Sequence, residues 1–268
     1  MDPLESLFGA APDDLPAPLA HLYGGGLDLP RSVVFANFVS SIDGIAALHE
    51  RPASSSLISG RDEGDRFVMG LLRAAADVVL IGAGTLRDHR GPWTAAAAFP
   101  DGADAFEAFR ALETRTPAPR LAVVSASGDL DEARPALEGA LVLTTARGKA
   151  AIPERVGAIA EVEVLGDGGG LGGGDVIRSL REHGFERILT EGGPRLMAEL
   201  FRAGVVDELF LSVSPVLAGG GELGAEHATI APEVAFLPDE PVPGVLRSAR
   251  RRGSFLFLRY GLGDGAAV

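Results

Sequence analysis

The residues with the most chemical content are Ile188-Leu189-Thr190-Glu191-Gly192-Gly193-Pro194-Arg195-Leu196, where an apolar run ends in a carboxylate, two glycines and a proline. The pattern predicts a strand, a tight turn and a helix. Proline suits the first helical turn, where its missing N–H costs nothing. The glycines allow a ligand to approach the backbone. The helix start offers unpaired N–H groups and a partial positive charge, which suits a phosphate. A plain strand-to-helix connection also needs glycines, but it leaves Glu191 and Pro194 without a purpose. We read this segment as a ligand site, with Glu191 aimed into a cleft.

Two further turns carry candidate chemistry. Asn37-Phe38-Val39-Ser40-Ser41-Ile42-Asp43-Gly44 begins in an apolar run and ends in Asp-Gly. Ser40, Ser41 and Asp43 then fall at the carboxyl end of a strand, where α/β sheets bind ligands. Asp43 could donate a proton or anchor a substrate, or it could simply satisfy a turn. Gly82-Ala83-Gly84-Thr85-Leu86 follows another apolar run, and its glycines could expose N–H groups to a phosphate. It is not the dinucleotide fingerprint, because Arg87 stands where the last glycine is needed. Gly168, Gly170 and Gly173 do have that spacing, but they lie in a nearly pure glycine run and read as a flexible linker.

Composition limits the rest. The chain has 268 residues, 46% of them hydrophobic, enough for a sizeable core. The net charge of −13 argues against nucleic acid or an anionic membrane surface as partner. No cysteine is present, so thiolate metal sites and a cysteine nucleophile are excluded. The histidines, His21, His49, His89, His183 and His227, lack metal-ligand spacing, and we expect no metal. His89 is expected on the surface. Lys149 is the only lysine, which leaves Schiff-base chemistry one poorly placed candidate. With no membrane-length apolar run and no basic leader, a cytoplasmic protein is expected.

The elements that position these turns alternate. Strands are expected at 32–39, 78–81, 121–124, 141–143, 162–165, 187–190, 208–214 and 254–260. Helices are expected at 62–76, 103–112, 151–159, 176–183 (capped by Asp175) and 194–203. Arg247, Arg250, Arg251 and Arg252 are expected to form a solvated or interface face before the last strand. The alternation implies an α/β sheet with helices on both faces and an antiparallel edge. Residues 1–30 are expected to form an N-terminal arm, 31–264 a single domain and 265–268 a tail.

In this order, five segments resemble the reductase domain of bacterial riboflavin biosynthesis. They are Val39–Gly44, Leu72–Asp77, Gly82–Arg87, Glu191–Pro194, and Val206-Asp207-Glu208 with Ser214–Gly220, together covering about residues 32–262. The resemblance implies a three-layer, dihydrofolate-reductase-like α/β/α fold with a mostly parallel mixed sheet. It also implies NADPH as cofactor, a small-molecule substrate and a homodimer. The reaction would reduce a phosphoribosylamino-pyrimidine by hydride transfer from nicotinamide C4 to sugar C1′.

Carried onto this chain, the resemblance makes Asp43 and Glu191 catalytic. It gives Asn37, Ser41, Ser59, Arg66 and Arg73 to the substrate. It gives Gly82, Gly84, Thr85, Leu86, Ser125, Gly192, Gly193 and Pro194 to the cofactor. The biosynthetic enzymes usually carry lysine at the position of Asn37, which points to a stand-alone sub-branch and leaves room for another heterocycle such as dihydrofolate. A non-catalytic nucleotide-binding homologue is the distant rival. The zinc-binding deaminase half of bifunctional members has no counterpart here, so deamination would need a separate protein.

Overall fold

The computed structural model describes residues 1–9, 12–48, 54–89, 91–166, 170–220, 227–232 and 234–263. Its centre is a parallel set of strands: β2 (Val33–Ser40), β3 (Val78–Gly82), β4 (Arg120–Ser125), β5 (Leu141–Thr144), β6 (Glu161–Val164), β7 (Arg187–Gly192) and β8 (Glu208–Val213). Three antiparallel strands complete one end: β1 (Glu5–Phe8), β9 (Gly244–Arg252) and β10 (Phe255–Leu262). Among the described residues the order across the sheet is β1-β9-β10-β8-β2-β7-β3-β4-β5-β6.

The central strands are apolar on both faces because both are covered. On one face Val33, Phe35, Val79, Ile81 and Leu189 pack on α1 (Ala17–Tyr23), α3 (Glu63–Ala75) and α6 (Ala103–Leu112). On the other, Val34, Ala36, Leu80 and Ile188 pack on α9 (Gly173–Glu182) and α10 (Pro194–Arg202). This is the expected three-layer α/β/α arrangement. The short helices α2 (Ser54–Ile58), α4 (Ala83–Asp88) and α5 (Ala95–Ala98) sit in the connections around α3 and β3.

Several local expectations need correction. The helix expected at 151–159 is two, α7 (Ala146–Ala151) and α8 (Glu154–Ile159), broken where Pro153 caps the second. Asp175 does not cap α9: Gly172 holds the cap position, and Asp175 lies within the first turn. The arginine run does precede the expected last strand, β10, but it is itself a strand, β9, rather than a solvated face, and Arg250 is only 2% exposed. Its guanidinium lies 3.8 Å from the centre of the Tyr23 ring and donates to the Tyr23 carbonyl.

Residues 1–30 supply β1, α1 and the buried side chains Leu4, Leu19, Tyr23 and Leu27. Of the linker read from Gly168, Gly170 and Gly173, the first lies outside the described residues, and Gly173 is instead the buried first residue of α9, packed on the Glu199 backbone. The tail at 265–268 lies outside the described residues. None of the described helices is long and apolar enough to cross a membrane.

Candidate active site

A cavity of about 420 Å³ opens at the carboxyl ends of β2, β3 and β7, in the size range of small-molecule sites. Two glycine turns meet beside it. Gly193 adopts φ +107, a conformation that side chains rarely tolerate, and a Cβ there would lie 3.1 Å from Thr85 Oγ1. The Thr85 hydroxyl donates to the Gly192 carbonyl at 3.1 Å, fastening the start of α4 to the β7–α10 turn. Pro194 opens α10, whose first turn has no side-chain cap. Its amide groups therefore remain available to an anion.

Glu191 owes its aim to a bulge. Between Leu80↔Thr190 and Ile81↔Gly192 the register shifts, so Glu191 has no partner on β3. Bulges re-aim side chains, and this one turns Glu191 toward α3. There Arg73 grips it with two 2.6 Å bonds, from Nε to Oε1 and from Nη2 to Oε2. The side chains are 4% and 11% exposed. Arg73 also donates to the Thr94 carbonyl at 3.3 Å. Three of its five N–H groups are thus spent on the wall, and Arg73 itself lines the cavity. Arg66 spends Nε on the Ala98 carbonyl and, with Arg61 and Ser59, lines the same side of the cavity.

Asp43 is not placed as a proton donor. It is exposed, outside the cavity lining, and committed to the loops around it. The Ser41 hydroxyl donates to Oδ1 at 2.5 Å, and the Ala218 and Gly219 amides donate to the carboxylate at 3.0 and 2.7 Å. These bonds, the serine's foremost, hold its carboxyl down at about 2. The turn is further tied by Ile42 N–H to the Val216 carbonyl and Ala47 to Ala228. Asp43 thus fastens a loop above the cavity. Ser41, 1% exposed, serves the same turn and also lies outside the lining.

Of the other residues singled out by sequence, Asn37, Ser59, Thr85, Gly193 and Pro194 line the cavity. Gly82 and Gly192 lie behind it as the touching backbones of the two turns. Gly84 is exposed with open space around it. Leu86, 1% exposed, packs its side chain into the core. Ser125 is buried at the end of β4 outside the lining, its hydroxyl unpartnered among the described residues.

Sequence reasoning missed Asp65. It lies on the inward side of α3, is 6% exposed, and lines the cavity. Burial first, then the nearby charges of Asp62 and Glu191, push its carboxyl up to about 6 against hydrogen bonds from Ser212 and Ser59. A legible signal existed: Asp65 stands three and seven residues before Val68 and Leu72, on the apolar side of an amphipathic helix. His89 is exposed, as expected. It lines the cavity with its ring edge-on to Trp93 at 4.8 Å, and burial followed by the Arg73 charge lowers its pKa. Among the described residues, no cluster of three or more His, Asp or Glu could hold a metal ion.

The arrangement offers a cleft with glycine turns at one side, free arginine nitrogens at another and a titratable carboxyl within. A pyrimidine reductase-like protein from Corynebacterium diphtheriae is similar in fold, with a TM-score of 0.71, 21% identity, and coverage of 92% of this chain and 98% of that one. RibD from Acinetobacter baumannii follows at a TM-score of 0.64 and 17% identity, covering 91% of this chain. This chain spans 60% of that protein's length. The riboflavin biosynthesis reductase Rib7 of Saccharomyces cerevisiae gives 0.57 and 13% identity, covering 94% and 96%. No curated protein matches the chain. The model of the RibD C-terminal domain matches residues 32–231, most of the chain, and the protein belongs to that family.

Proposed function

We propose that the protein is an NADPH-dependent reductase of a phosphoribosylamino-pyrimidine in the riboflavin pathway. The observation that carries this is the meeting of the Gly82 and Gly193 turns beside one cavity that also holds Glu191 and Asp65. Gly193 forms a cradle that a Cβ would fill, and the uncapped start of α10 suits a pyrophosphate. These residues, with Thr85 and Pro194, would hold the coenzyme, which supplies hydride chemistry when bound. Arg66, Arg61 and Ser59 form the polar side fitted to a sugar phosphate. Asn37, at the cavity end of β2, is a hydrogen-bonding contact for the ring. The Glu191–Arg73 pair fixes the cavity wall, and its carboxylate presents a negative charge to the reacting region.

We infer a cytoplasmic location from such a substrate and cofactor. We also propose a homodimer. Leu211, Val213, Leu256 and Leu258 form a half-exposed apolar patch on the sheet face opposite α3, paired as Leu256↔Val213 and Leu258↔Leu211.

The test supplies NADPH with the pyrimidine or with dihydrofolate and follows the loss of nicotinamide absorbance. Turnover of the pyrimidine is expected. Turnover of dihydrofolate instead would favour the second substrate, which Asn37 keeps open. Tight NADPH binding with turnover of neither would favour a binding-only protein.

A further inference from the structure

We propose that Asp65 is the general acid of this site, delivering the proton that accompanies hydride reduction of the substrate's C=N bond; the proposal rests on the reductase reading above. Its placement is the first argument. Asp65 sits near the amino end of α3, beside Ser59 from the turn before α3 and Ser212 near the cavity end of β8. Both it and Ser59 line the cavity.

The second argument is that the fold gains nothing evident from a carboxyl there. An acidic residue at the third position of a helix often returns a bond to the cap residue's N–H. Here that N–H, on Asp62, is already taken by the Ser59 carbonyl at 3.0 Å. The cap itself is complete, because Asp62 Oδ1 accepts from the Gly64 and Asp65 amides. Asp65 is instead buried beside two other carboxylates. Asp62 is paired with Arg252 at 2.8 Å and Glu191 with Arg73 at 2.6 Å, so these two cations already answer anions; Arg61 and Arg66 line the same cavity without pairing to Asp65. A destabilised carboxyl in a cleft without a capping duty is the mark of a functional group.

The third argument is chemical need. As hydride reaches C1′, the electron pair of the C=N bond moves to nitrogen, which must take a proton. Asp65 gives up its O–H proton as that N–H bond forms; the imine becomes an amine, NADPH becomes NADP⁺, and solvent returns a proton to the carboxylate. Asp43 cannot serve, being ionised throughout the neutral range and outside the cavity. A carboxyl that titrates near 6 is partly protonated near neutrality, where proton donation is most effective.

The experiment measures kcat for NADPH oxidation with the pyrimidine from about pH 5 to about pH 9, for the full chain, Asp65→Asn, and Asp65→Ala with and without formate. The unaltered protein should lose rate as pH rises above about 6. Asp65→Asn should be at least about 100-fold slower with a flat profile, while its NADPH affinity stays within about twofold. Formate should restore part of the rate of Asp65→Ala, which a packing role would not allow. A profile that survives in Asp65→Asn, or a kcat within about threefold of the original, overturns the proposal and leaves the reductase reading intact. If neither variant folds, the unaltered protein decides: no ionisation between about pH 5 and about pH 7 overturns the proposal. Failure of the unaltered protein to turn over the pyrimidine while it binds NADPH overturns the reductase reading and this proposal with it.

Discussion

The turn after β2 and the amino end of α3 each carry an aspartate at the cavity end of the sheet, and the two carboxyls have opposite fates. Asp43 is exposed and accepts a serine hydroxyl and two backbone amides, which hold it at about 2. Asp65 is buried among carboxylates and raised to about 6. Membership of a recognisable motif favoured the first. Solvent access and neighbours, which decide whether a carboxyl can exchange a proton near neutrality, favour the second. A motif residue can therefore shape a site without performing its chemistry.

The largest test of this contrast is the pair of asparagine substitutions. Asp65→Asn is expected to lower kcat by about 100-fold to 10,000-fold. Asp43→Asn should cost less than about tenfold, because it perturbs a loop rather than a proton donor. The reverse ranking in steady-state assays would return the catalytic role to the turn.

Next in size is the wall beside Asp65. Arg73→Met would leave Glu191 buried without its partner, and a broken buried pair costs about 3–5 kcal/mol. Urea unfolding should show that loss. A loss below about 1 kcal/mol would mean the pair is solvated, in the range of surface ion pairs, and would weaken the case for a dry cavity.

A third effect concerns pH. The folded Asp65 titrates above its unfolded value of 3.8, so the stabilisation of its protonated form is full below about 4 and lost as pH rises through about 6. The shift corresponds to at most about 3 kcal/mol. Asp65→Asn should therefore be the more stable protein above about pH 6, seen as a higher melting temperature, while being the slower enzyme. Equal pH dependence of melting in both proteins would contradict this.

The smallest effect is local. Asp43→Asn should speed amide exchange at Ala218 and Gly219, which it holds, without changing global unfolding.

The parallel core was legible because its strands are short apolar runs closed by glycine or aspartate, as at Val78–Gly82. Glu191 was legible as a cleft residue, but its partner Arg73 was not, because the pairing depends on a bulge and on the docking of α3. Asp65 was hidden for a related reason. Asp62-Glu63-Gly64-Asp65 reads as the acidic start of a helix, and only contact with Ser212, remote in sequence, buries its last member. β9 was missed because four arginines read as a solvated face. Two of them alternate to opposite fates: Arg250 stacks on Tyr23 inside, and Arg251 pairs with Glu5 outside. Residues 1–30 had to fold against β9 before that alternation had meaning.

The most direct measurement is a carboxyl-carbon NMR titration of both aspartates in the full chain. Asp65 should change protonation state near pH 6 and Asp43 near pH 2. An Asp65 midpoint at or below about 4, the ordinary range of an exposed carboxyl, would contradict the assignment of the site's proton to α3.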